Sequence, residues 1–288
     1  MQATDDYQLI DFGGGARLER FGARMVDRPH PAALGARREA AAWSAADLRF
    51  DRDRGWTGPA ASDGPWPIAV AGLSLELRPT GAGQLGLFPE HLAMIPWLRN
   101  RIGARAEARA TEDTPTPAPV LHLFAYSGLA TLALAAAGAA VTHVDSARPT
   151  VAWARRNAEL STLGDRPIRW IVDDALAFAE REVRRERRYD GLVLDPPSYG
   201  HGPAGQPWRL AEQLPALIET CAALLGRDAF VLLTAHTPGF DGDRLAALLS
   251  QASARRASAI ERGDLFVECG DGRRLELGAF ARWPGGAS

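Results

Sequence analysis

From Val120 onward, short apolar runs alternate with longer segments in which apolar residues recur every three or four positions. Short runs of this kind predict buried strands, and the longer spacing predicts helices. The predicted strands are Val120–Phe124, Ala140–Val144, Ile168–Val172, Tyr189–Leu194 and Ala229–Leu233. The predicted helices are Leu129–Ala137, Pro149–Leu160, Ala175–Arg187, Leu210–Leu225 and Arg244–Ala252. Strands that alternate with helices indicate an α/β fold with a doubly wound, mostly parallel sheet.

The end of the chain has a different pattern. Two further strand-like runs lie around Leu265–Glu268 and Arg274–Phe280, on either side of Asp271-Gly272. An Asp-Gly pair between two such runs is typical of a tight hairpin turn. We therefore expect a seven-stranded, Rossmann-like sheet with one antiparallel strand at or near an edge.

The first part of the chain predicts a small, partly β lobe. Its strand-like pieces are short and separated by turn clusters rich in glycine, proline and aspartate. These pieces are Tyr7–Phe12, Leu18–Phe21, Ile68–Val70 and Leu73–Leu77. Helical spacing follows in Glu90–Ala110.

A proline-rich stretch then separates the two patterns. Thr111–Pro119 carries three prolines in its last five residues, which is typical of a stiff linker or a loop. We therefore predict a substrate-side α+β lobe over residues 1–110 and a Rossmann-like domain over residues 111–288.

Composition narrows the class of protein without assigning a function. The 288 residues are 46% apolar and 24% charged, so the chain can form a real core. A net charge of −2 means that any contact with nucleic acid needs a local patch. Two cysteines exclude a disulfide scaffold and a four-cysteine zinc site, and we predict no metal. The chain shows no signal peptide or membrane span, so we expect a cytoplasmic protein; its oligomeric state stays open.

Candidate chemistry falls at the carboxyl ends of the predicted strands, where open α/β sheets bind ligands. The first strand runs into a turn that ends at Gly128, and the second ends at Asp145. The third ends at Asp173 and Asp174, and the fourth continues into Asp-Pro-Pro-Ser-Tyr-Gly at 195–200. An acid at the position of Asp145 suits a ribose diol. A carboxylate after the third strand can accept a hydrogen bond from an adenine amino group.

Taken alone, each of these residues is also typical of an ordinary turn or loop. Together they occupy four successive strand ends, and that joint pattern predicts a site for a nucleoside-type cofactor. The dinucleotide fingerprint Gly-x-Gly-x-x-Gly and the P-loop Gly-Lys-Ser/Thr are both absent. A nicotinamide-dependent oxidoreductase is therefore disfavoured.

Residues 121–200 resemble class I S-adenosylmethionine-dependent methyltransferases, and more narrowly the bacterial large-subunit rRNA methyltransferases. The matching pieces are LHLFAYSG at Leu121–Gly128, THVDSA at Thr142–Ala147, WARRNAELS at Trp153–Ser161, VDDAL at Val172–Leu176 and LDPPSYG at Leu194–Gly200. Less specific likenesses are GQLGLFPEH at Gly83–His91 and ARLERFG at Ala16–Gly22.

The resemblance implies a set of cofactor contacts. Residues of the first turn present their backbone to the methionine part of S-adenosylmethionine: Phe124, Ala125, Tyr126, Ser127 and Gly128. Asp145 binds the ribose hydroxyls with Ser146 beside it, and Asp174, with or without Asp173, binds the adenine amino group. Phe88 and Glu90 close over the cofactor from the other side. Ser127 is also able to cap the helix that follows.

The resemblance also implies that Asp195, Pro196, Pro197 and Tyr199 form the catalytic loop. Methyl transfer from a sulfonium is a direct displacement, so the enzyme mainly positions and desolvates its reactants. Proline has no N–H, so this turn presents carbonyl oxygens that, with Asp195, orient an amino group. Tyr199 offers a surface on which a base stacks, with ordinary packing as the alternative.

The chain departs from family members that methylate carbon 5 of cytosine. That reaction needs a thiolate, yet neither 195–199 nor 234–237 contains cysteine. Cys221 and Cys269 are expected to be small buried residues. The family's additional N-terminal RNA-binding module also has no expected counterpart, since the chain starts in the small lobe. The missing cysteine favours a nitrogen atom as the acceptor, and the resemblance implies an RNA base, most simply in rRNA.

Several alternatives stay open. The acceptor could instead be a small metabolite or a protein, or the chain could be a non-catalytic RNA-binding assembly module. The arginines between Arg17 and Arg54 are typical of an RNA-binding surface, but a high genomic GC content also produces many arginines. The basic run Arg181–Arg188 is either an RNA-binding patch or the solvated face and last turn of a helix. His236 either lines the substrate pocket or is structural.

Overall fold

The computed structural model describes residues 6–109, 116–253 and 259–285. The chain forms two compact units, one of Met1–Leu92 with Phe266–Leu277 and the other of Ala93–Leu265 with Gly278–Ser288. The division thus falls at Leu92, whereas the sequence places it near residue 110. Most of the proline-rich stretch, residues 111–115, lies outside the described residues. The boundary at residue 110 between a substrate-side lobe and a Rossmann-like domain stays a prediction.

The strands are β1 (Tyr7–Gly13), β2 (Ala16–Phe21), β3 (Arg24–Pro29), β4 (Leu48–Asp51), β5 (Gly55–Thr57), β6 (Trp66–Val70), β7 (Leu73–Leu77), β8 (Pro119–Leu123), β9 (Ala140–Asp145), β10 (Ile168–Val172), β11 (Tyr189–Leu194), β12 (Tyr199–His201), β13 (Pro207–Arg209), β14 (Leu225–Ala235), β15 (Glu261–Glu268) and β16 (Arg274–Trp283). The helices are α1 (Ala40–Ser44), α2 (Ile95–Arg109), α3 (Leu129–Ala136), α4 (Arg148–Leu160), α5 (Ala175–Arg184), α6 (Leu210–Ala222) and α7 (Gly242–Ser253), with a 3-10 helix at Pro89–Met94 before α2.

A seven-stranded sheet has the strand order β10-β9-β8-β11-β14-β16-β15. The five strands from β10 to β14 pair in parallel, and β16 pairs antiparallel to β14. The predicted doubly wound α/β fold is confirmed, and so is the antiparallel strand near an edge. The predicted hairpin turn is present at Gly272, which has a φ of 82° and donates its N–H to the Cys269 carbonyl.

Dense packing at the middle of this sheet explains one glycine. All six residues of β11 are buried, as expected for a central parallel strand covered on both faces. A Cβ on Gly191 would lie 2.2 Å from the ring of Phe230 on the neighbouring strand. Glycine at this position therefore allows the phenylalanine ring to pack into the core.

The first unit contains a five-stranded sheet, β1-β2-β3-β4-β5, and a separate hairpin of β6 and β7. The sequence predicts parts of four of these strands but not β3, β4 and β5. In β3 a buried position is occupied by Arg28, which is only 2% exposed. A charged residue at a core position breaks the apolar alternation from which strands are predicted.

The two short strands β12 and β13 are also absent from the sequence prediction. Each has three residues, and they pair as a hairpin directly after Asp195-Pro196-Pro197-Ser198. Runs this short contain too few positions to show an alternating pattern. The hairpin matters because it lies next to the predicted catalytic loop.

No helix among the described residues combines the length and apolar character needed to cross a bilayer. The predicted helix at Ala175–Arg187 is shorter than expected and ends at Arg184. Within this helix, Arg181 forms an ion pair with Asp173, and Arg185 just beyond it pairs with Glu182. These contacts match the interpretation of the basic run as a solvated helix end.

Candidate active site

The turn after β8 has an unusual backbone. Phe124 and Tyr126 have φ angles of 55° and 49°, and Gly128 has a φ of 95°. Non-glycine residues in this region are strained, and such strain is found most often at functional sites. A Cβ on Gly128 would lie 3.1 Å from the Cβ of Ala154, so glycine permits close packing on α4.

This turn is held by Asp145 at the end of β9. The Tyr126 backbone N–H donates to Asp145 Oδ2 at 2.9 Å, and the Ala147 N–H donates to Oδ1 at 3.0 Å. Burial raises the pKa of the Asp145 carboxyl because these two hydrogen bonds only partly offset the loss of water. The carboxylate therefore has capacity for further donors, such as ribose hydroxyls.

The two acids after β10 have different partners. Asp174 caps α5, since its Oδ1 accepts a hydrogen bond from the Ala177 N–H at 2.9 Å. Asp173 accepts the Asp174 N–H on Oδ1 at 2.9 Å and pairs with Arg181 through Oδ2. Both oxygens of Asp173 thus bind groups within the chain. In Asp174 the helix cap uses Oδ1, and Oδ2 is the other carboxylate oxygen.

A cleft in the second unit brings several predicted residues together. It is lined by Phe124, Val144, Asp145, Ser146, Asp173, Asp174, Ala175, Pro197, Gly200, His201, Gly202 and Trp208. The residues predicted to bind ribose and adenine therefore share one cleft with part of the Asp-Pro-Pro turn. An aromatic ring combined with carboxylates fits a nucleoside, which needs an apolar surface for its base and acceptors for its hydroxyl and amino groups.

The carboxylate of Asp195 is held by residues at the end of β14. The Thr234 hydroxyl donates to Asp195 Oδ1 at 2.6 Å, and His236 Nε2 lies 3.2 Å from the same oxygen. His236 therefore contacts the predicted catalytic acid, an arrangement that the sequence left open. Thr234 was not singled out by the sequence because a threonine inside an apolar strand gives no functional signal.

The turn itself is braced by the hairpin that follows it. Pro196 is buried and Pro197 is exposed. The Trp208 Nε1–H donates to the Pro197 carbonyl at 2.7 Å, and its ring lies 4.9 Å from that of Phe124. Trp208 thus connects the hairpin, the turn and the cleft. Gly200 closes the motif singled out in the sequence, whereas His201, Gly202 and Trp208 gave no signal there, although all four line the cleft.

Tyr199 lies on the surface of the hairpin. Its side chain is 57% exposed, so it does not pack in the core. Its hydroxyl is 2.9 Å from His201 Nε2, and the two rings meet edge to face at 5.0 Å. An exposed aromatic side chain beside the turn is available to stack on a planar group.

Other predicted residues have different surroundings. Ser127 is buried and lies one residue before Gly128, which occupies the N-cap position of α3. Asn157 Nδ2 donates to the Ser127 carbonyl at 2.9 Å. Phe88 and Glu90 belong to the first unit, where Glu90 is 3% exposed. Their role at the cofactor stays a prediction, as does that of Ala125.

Both cysteines are buried, as expected. Burial raises the pKa of Cys221 to about 12 and that of Cys269 to about 11. Thiols of this kind are protonated near neutral pH and are poor nucleophiles. The arrangement therefore favours direct transfer to an acceptor over covalent catalysis by a thiolate.

Several arginines of the first unit are buried or paired with acids. Arg17 and Arg28 are buried, and Arg24 and Arg38 form ion pairs with acids of the same unit. Arg52 is among those that are exposed. Much of the positive charge counted in the sequence is thus neutralised within the fold.

Comparison with known proteins gives three informative matches. The crystal structure of an S-adenosylmethionine-dependent methyltransferase from Agrobacterium tumefaciens superposes with a TM-score of 0.87 at 35% identity, covering 98% of this chain and 91% of that one. The ribosomal RNA large subunit methyltransferase K/L of Methylococcus capsulatus is 43% identical over 82 residues, or 28% of this chain and 11% of that protein. The protein of the same name from Magnetococcus marinus is 32% identical over 136 residues, or 46% of this chain and 17% of that protein.

No protein-family model matches the chain. The chain spans less than a fifth of the length of these two curated relatives. The resemblance to large-subunit rRNA methyltransferases is confirmed over the matched segments. The Agrobacterium protein is 35% identical and is matched along nearly the whole length of both chains, which shows the family. The chain is a member of the S-adenosylmethionine-dependent methyltransferases.

Proposed function

We propose that this enzyme methylates a nitrogen atom of an RNA base, in rRNA, with S-adenosylmethionine as the methyl donor. The observation that carries the proposal is that Pro197 lines the same cleft as Asp145 and Asp174. The predicted cofactor residues and the predicted acceptor loop are therefore neighbours, as a direct transfer requires.

In this proposal the second unit binds the nucleoside part of the cofactor. Asp145 accepts hydrogen bonds from the ribose hydroxyls, with Ser146 beside it. Asp174 accepts a hydrogen bond from the adenine amino group through Oδ2, while its Oδ1 caps α5. Asp173 orients Arg181 and the Asp174 backbone. The strained backbone from Phe124 to Gly128 faces the methionine part.

The bound cofactor supplies an electrophilic methyl group on a sulfonium. Asp195 and the carbonyl oxygens of the proline turn accept hydrogen bonds from the acceptor amine, so that its lone pair points at that methyl group. As the new N–C bond forms, the electron pair of the breaking S–C bond stays on sulfur, and the acceptor nitrogen loses a proton to solvent. Positioning of this kind accounts for much of the rate enhancement in such reactions.

Two observations support an RNA base as the acceptor. Tyr199 is an exposed aromatic residue directly beside the proline turn, where a base extruded from a helix would stack. The relatives from Methylococcus and Magnetococcus are named as large-subunit rRNA methyltransferases. The buried state of both cysteines supports nitrogen over carbon 5 of cytosine.

We also propose that Phe88 and Glu90 contact the cofactor, and that the enzyme works in the cytoplasm, where ribosomes are assembled.

The test is transfer of isotope-labelled methyl groups to separate pools of 23S rRNA, 16S rRNA, tRNA, protein and small metabolites from a strain that lacks this enzyme. We expect label in 23S rRNA at a base nitrogen, located by nuclease digestion and mass spectrometry. Label only in protein or metabolites, or on a base carbon, would overturn the proposed acceptor. Transfer should be largely lost in Asp195→Ala and kept in the matched control Asp165→Ala, since Asp165 is exposed in a turn outside the cleft.

A further inference from the structure

Two side chains at the end of β14, Thr234 and His236, contact the predicted catalytic acid Asp195. Strands β11 and β14 are parallel neighbours, with Leu194 opposite Leu233. The next residue on each strand is therefore also adjacent, which places Thr234 beside Asp195. His236 follows two residues later and reaches the same carboxylate.

Both contacts converge on one oxygen. Thr234 is 3% exposed, and its hydroxyl lies 2.6 Å from Asp195 Oδ1 and 3.2 Å from the Leu194 carbonyl. A hydroxyl has a single proton, and the shorter contact to a charged acceptor is the stronger one. His236 Nε2 lies 3.2 Å from the same Oδ1, a distance at which a proton on Nε2 makes a second hydrogen bond. Together the two bonds fix the plane of the carboxylate.

The fold leaves room for the imidazole. Gly278, on the adjacent strand β16, lies so close that a Cβ there would be 2.9 Å from His236 Nδ1 and 2.5 Å from the Ala235 carbonyl. Any other residue at position 278 would displace the ring or the strand. This glycine is a second, independent sign that the position of His236 is built into the sheet.

We propose that His236 is a positioning residue for methyl transfer: its Nε2–H, together with the Thr234 hydroxyl, fixes the carboxylate of Asp195 in the orientation that aligns the acceptor nitrogen. The inference rests on the proposed function, because Asp195 is assigned there to the acceptor. In this proposal His236 acts through Asp195 and not by direct contact with the donor or the acceptor. It therefore governs the rate of transfer and not the binding of either reactant.

The first test compares His236→Ala and His236→Gln, because the glutamine Nε2–H replaces the imidazole donor. We expect kcat to fall about 100-fold in H236A, the cost of misplacing a reacting group by about 1 Å. In H236Q we expect a fall of about fivefold, the worth of one imperfect hydrogen bond. The KM for RNA and the calorimetric Kd for S-adenosylmethionine should change by less than about threefold in both variants.

The matched control is Thr237→Ala. The Thr237 hydroxyl lies 2.6 Å from Ser198 Oγ, so it also joins the β14 end to the proline turn, but without contacting Asp195. T237A should keep near-normal kcat. An equal loss of kcat in T237A and H236A would mean that tethering of the loops, not orientation of Asp195, is what matters. Equal losses in H236Q and H236A, with both proteins folded, would also overturn the proposal.

A second test needs no methyl acceptor. Long-range ¹H–¹⁵N spectra report which ring nitrogen of a histidine carries the proton, and H236Q identifies the His236 signal by its absence. We expect an Nε2–H tautomer in the unmodified enzyme and a shifted Nε2 signal in Asp195→Ala. An Nδ1–H tautomer would overturn the inference. If the enzyme methylates no RNA but these spectra are as expected, the proposed acceptor fails while the histidine contact stands.

Discussion

Two aspartates in the two units show how differently the same side chain is used. Asp11, in the first unit, is fully buried and accepts hydrogen bonds from three backbone N–H groups, the Trp43 indole and Arg273. These donors hold the pKa of its carboxyl well below the ordinary value. Asp145, in the second unit, accepts hydrogen bonds from two backbone N–H groups among the residues that the structure describes, and burial raises its pKa.

The difference indicates which acid serves the fold and which serves a ligand. A carboxylate that the chain itself saturates with donors has no capacity left for a substrate, and its charge stabilises the surrounding loops. A carboxylate that is desolvated but only partly satisfied gains most when a ligand supplies the missing donors. Asp11 is of the first kind and Asp145 of the second. The predictions below test this contrast, from the largest expected effect to the smallest.

Replacing Asp11 should destabilise the first unit. Asp11→Ala leaves the Trp43 indole, three backbone N–H groups and Arg273 without their shared acceptor. We expect the free energy of unfolding to fall by about 3–5 kcal/mol, the usual cost of removing one partner of a buried ion pair. Urea denaturation followed by tryptophan fluorescence measures this change. A loss below about 1 kcal/mol, or an equal loss in the exposed control Asp53→Ala, would contradict the structural role.

Replacing Asp195 should abolish most activity while leaving the fold and the cofactor site intact. We expect Asp195→Ala to slow methyl transfer by about 100- to 1,000-fold, the usual effect of removing a group that acts at the reacting centre. The Kd for S-adenosylmethionine should stay within a few-fold of normal. Single-turnover transfer and calorimetry measure the two quantities. An unchanged rate in D195A, compared with Asp165→Ala, would disprove the assignment of the catalytic loop.

Replacing Asp145 should weaken cofactor binding and not stability. We expect Asp145→Ala to raise the Kd for S-adenosylmethionine by about 30-fold, or ~2 kcal/mol, since hydrogen bonds to a charged acceptor are lost. Calorimetric titration measures it, again with Asp165→Ala as the matched control. If the main effect were instead a loss of stability as large as in D11A, the contrast between the two aspartates would fail.

The raised pKa of Asp145 also predicts a dependence of binding on pH. In the proposed site the ribose hydroxyls donate to the ionised carboxylate, so we expect protonation of Asp145 to compete with the cofactor. Because the pKa is raised, this competition should begin at a higher pH than for an exposed aspartate. We expect the Kd for S-adenosylmethionine to rise as the pH is lowered through this pKa, measured by calorimetry. The variant Asp145→Asn should bind weakly with a flatter dependence on pH.

The smallest predicted effect concerns the core of the second unit. His122, Thr131 and His143 form a buried chain of hydrogen bonds, with contacts of 2.8 and 2.9 Å. Burial holds the pKa of His143 well below the ordinary value of 6.5. The unfolded chain therefore binds a proton that the folded protein excludes, and stability falls as the pH drops below about 6.5.

The slope should approach about 1.4 kcal/mol per pH unit for this one group. Thermal unfolding between pH 7 and pH 5 measures it, and His143→Asn should reduce the dependence on pH. His30→Gln, outside this chain of hydrogen bonds, should leave it unchanged. A dependence that is the same in H143N and in the unmodified protein would show that His143 is not its source.

Sequence patterns predicted the second unit better than the first. Each strand from β8 to β11 is a short, mostly apolar run that leads into a glycine-containing turn or an acid. Its position and its end could therefore both be predicted from the sequence. In the first unit, Arg28 occupies a core position because it donates to Glu19 at 2.6 and 2.8 Å. No pattern of apolar residues identifies such a strand, since its burial depends on a partner from another strand.

The sequence by itself determined the fold class and the residue types at the strand ends, because hydrophobic periodicity and the residue that follows each strand are local properties. Tertiary structure alone decided which donors each carboxylate receives. The Asp11 carboxylate accepts a hydrogen bond from Arg273, the Asp195 carboxylate accepts one from the Thr234 hydroxyl, and His236 Nε2 lies 3.2 Å from Asp195 Oδ1. These partners lie far apart in the chain. Only the folded protein brings them within hydrogen-bond distance. The donors that reach each carboxylate distinguish Asp11, which stabilises the fold, from the acids proposed for the site.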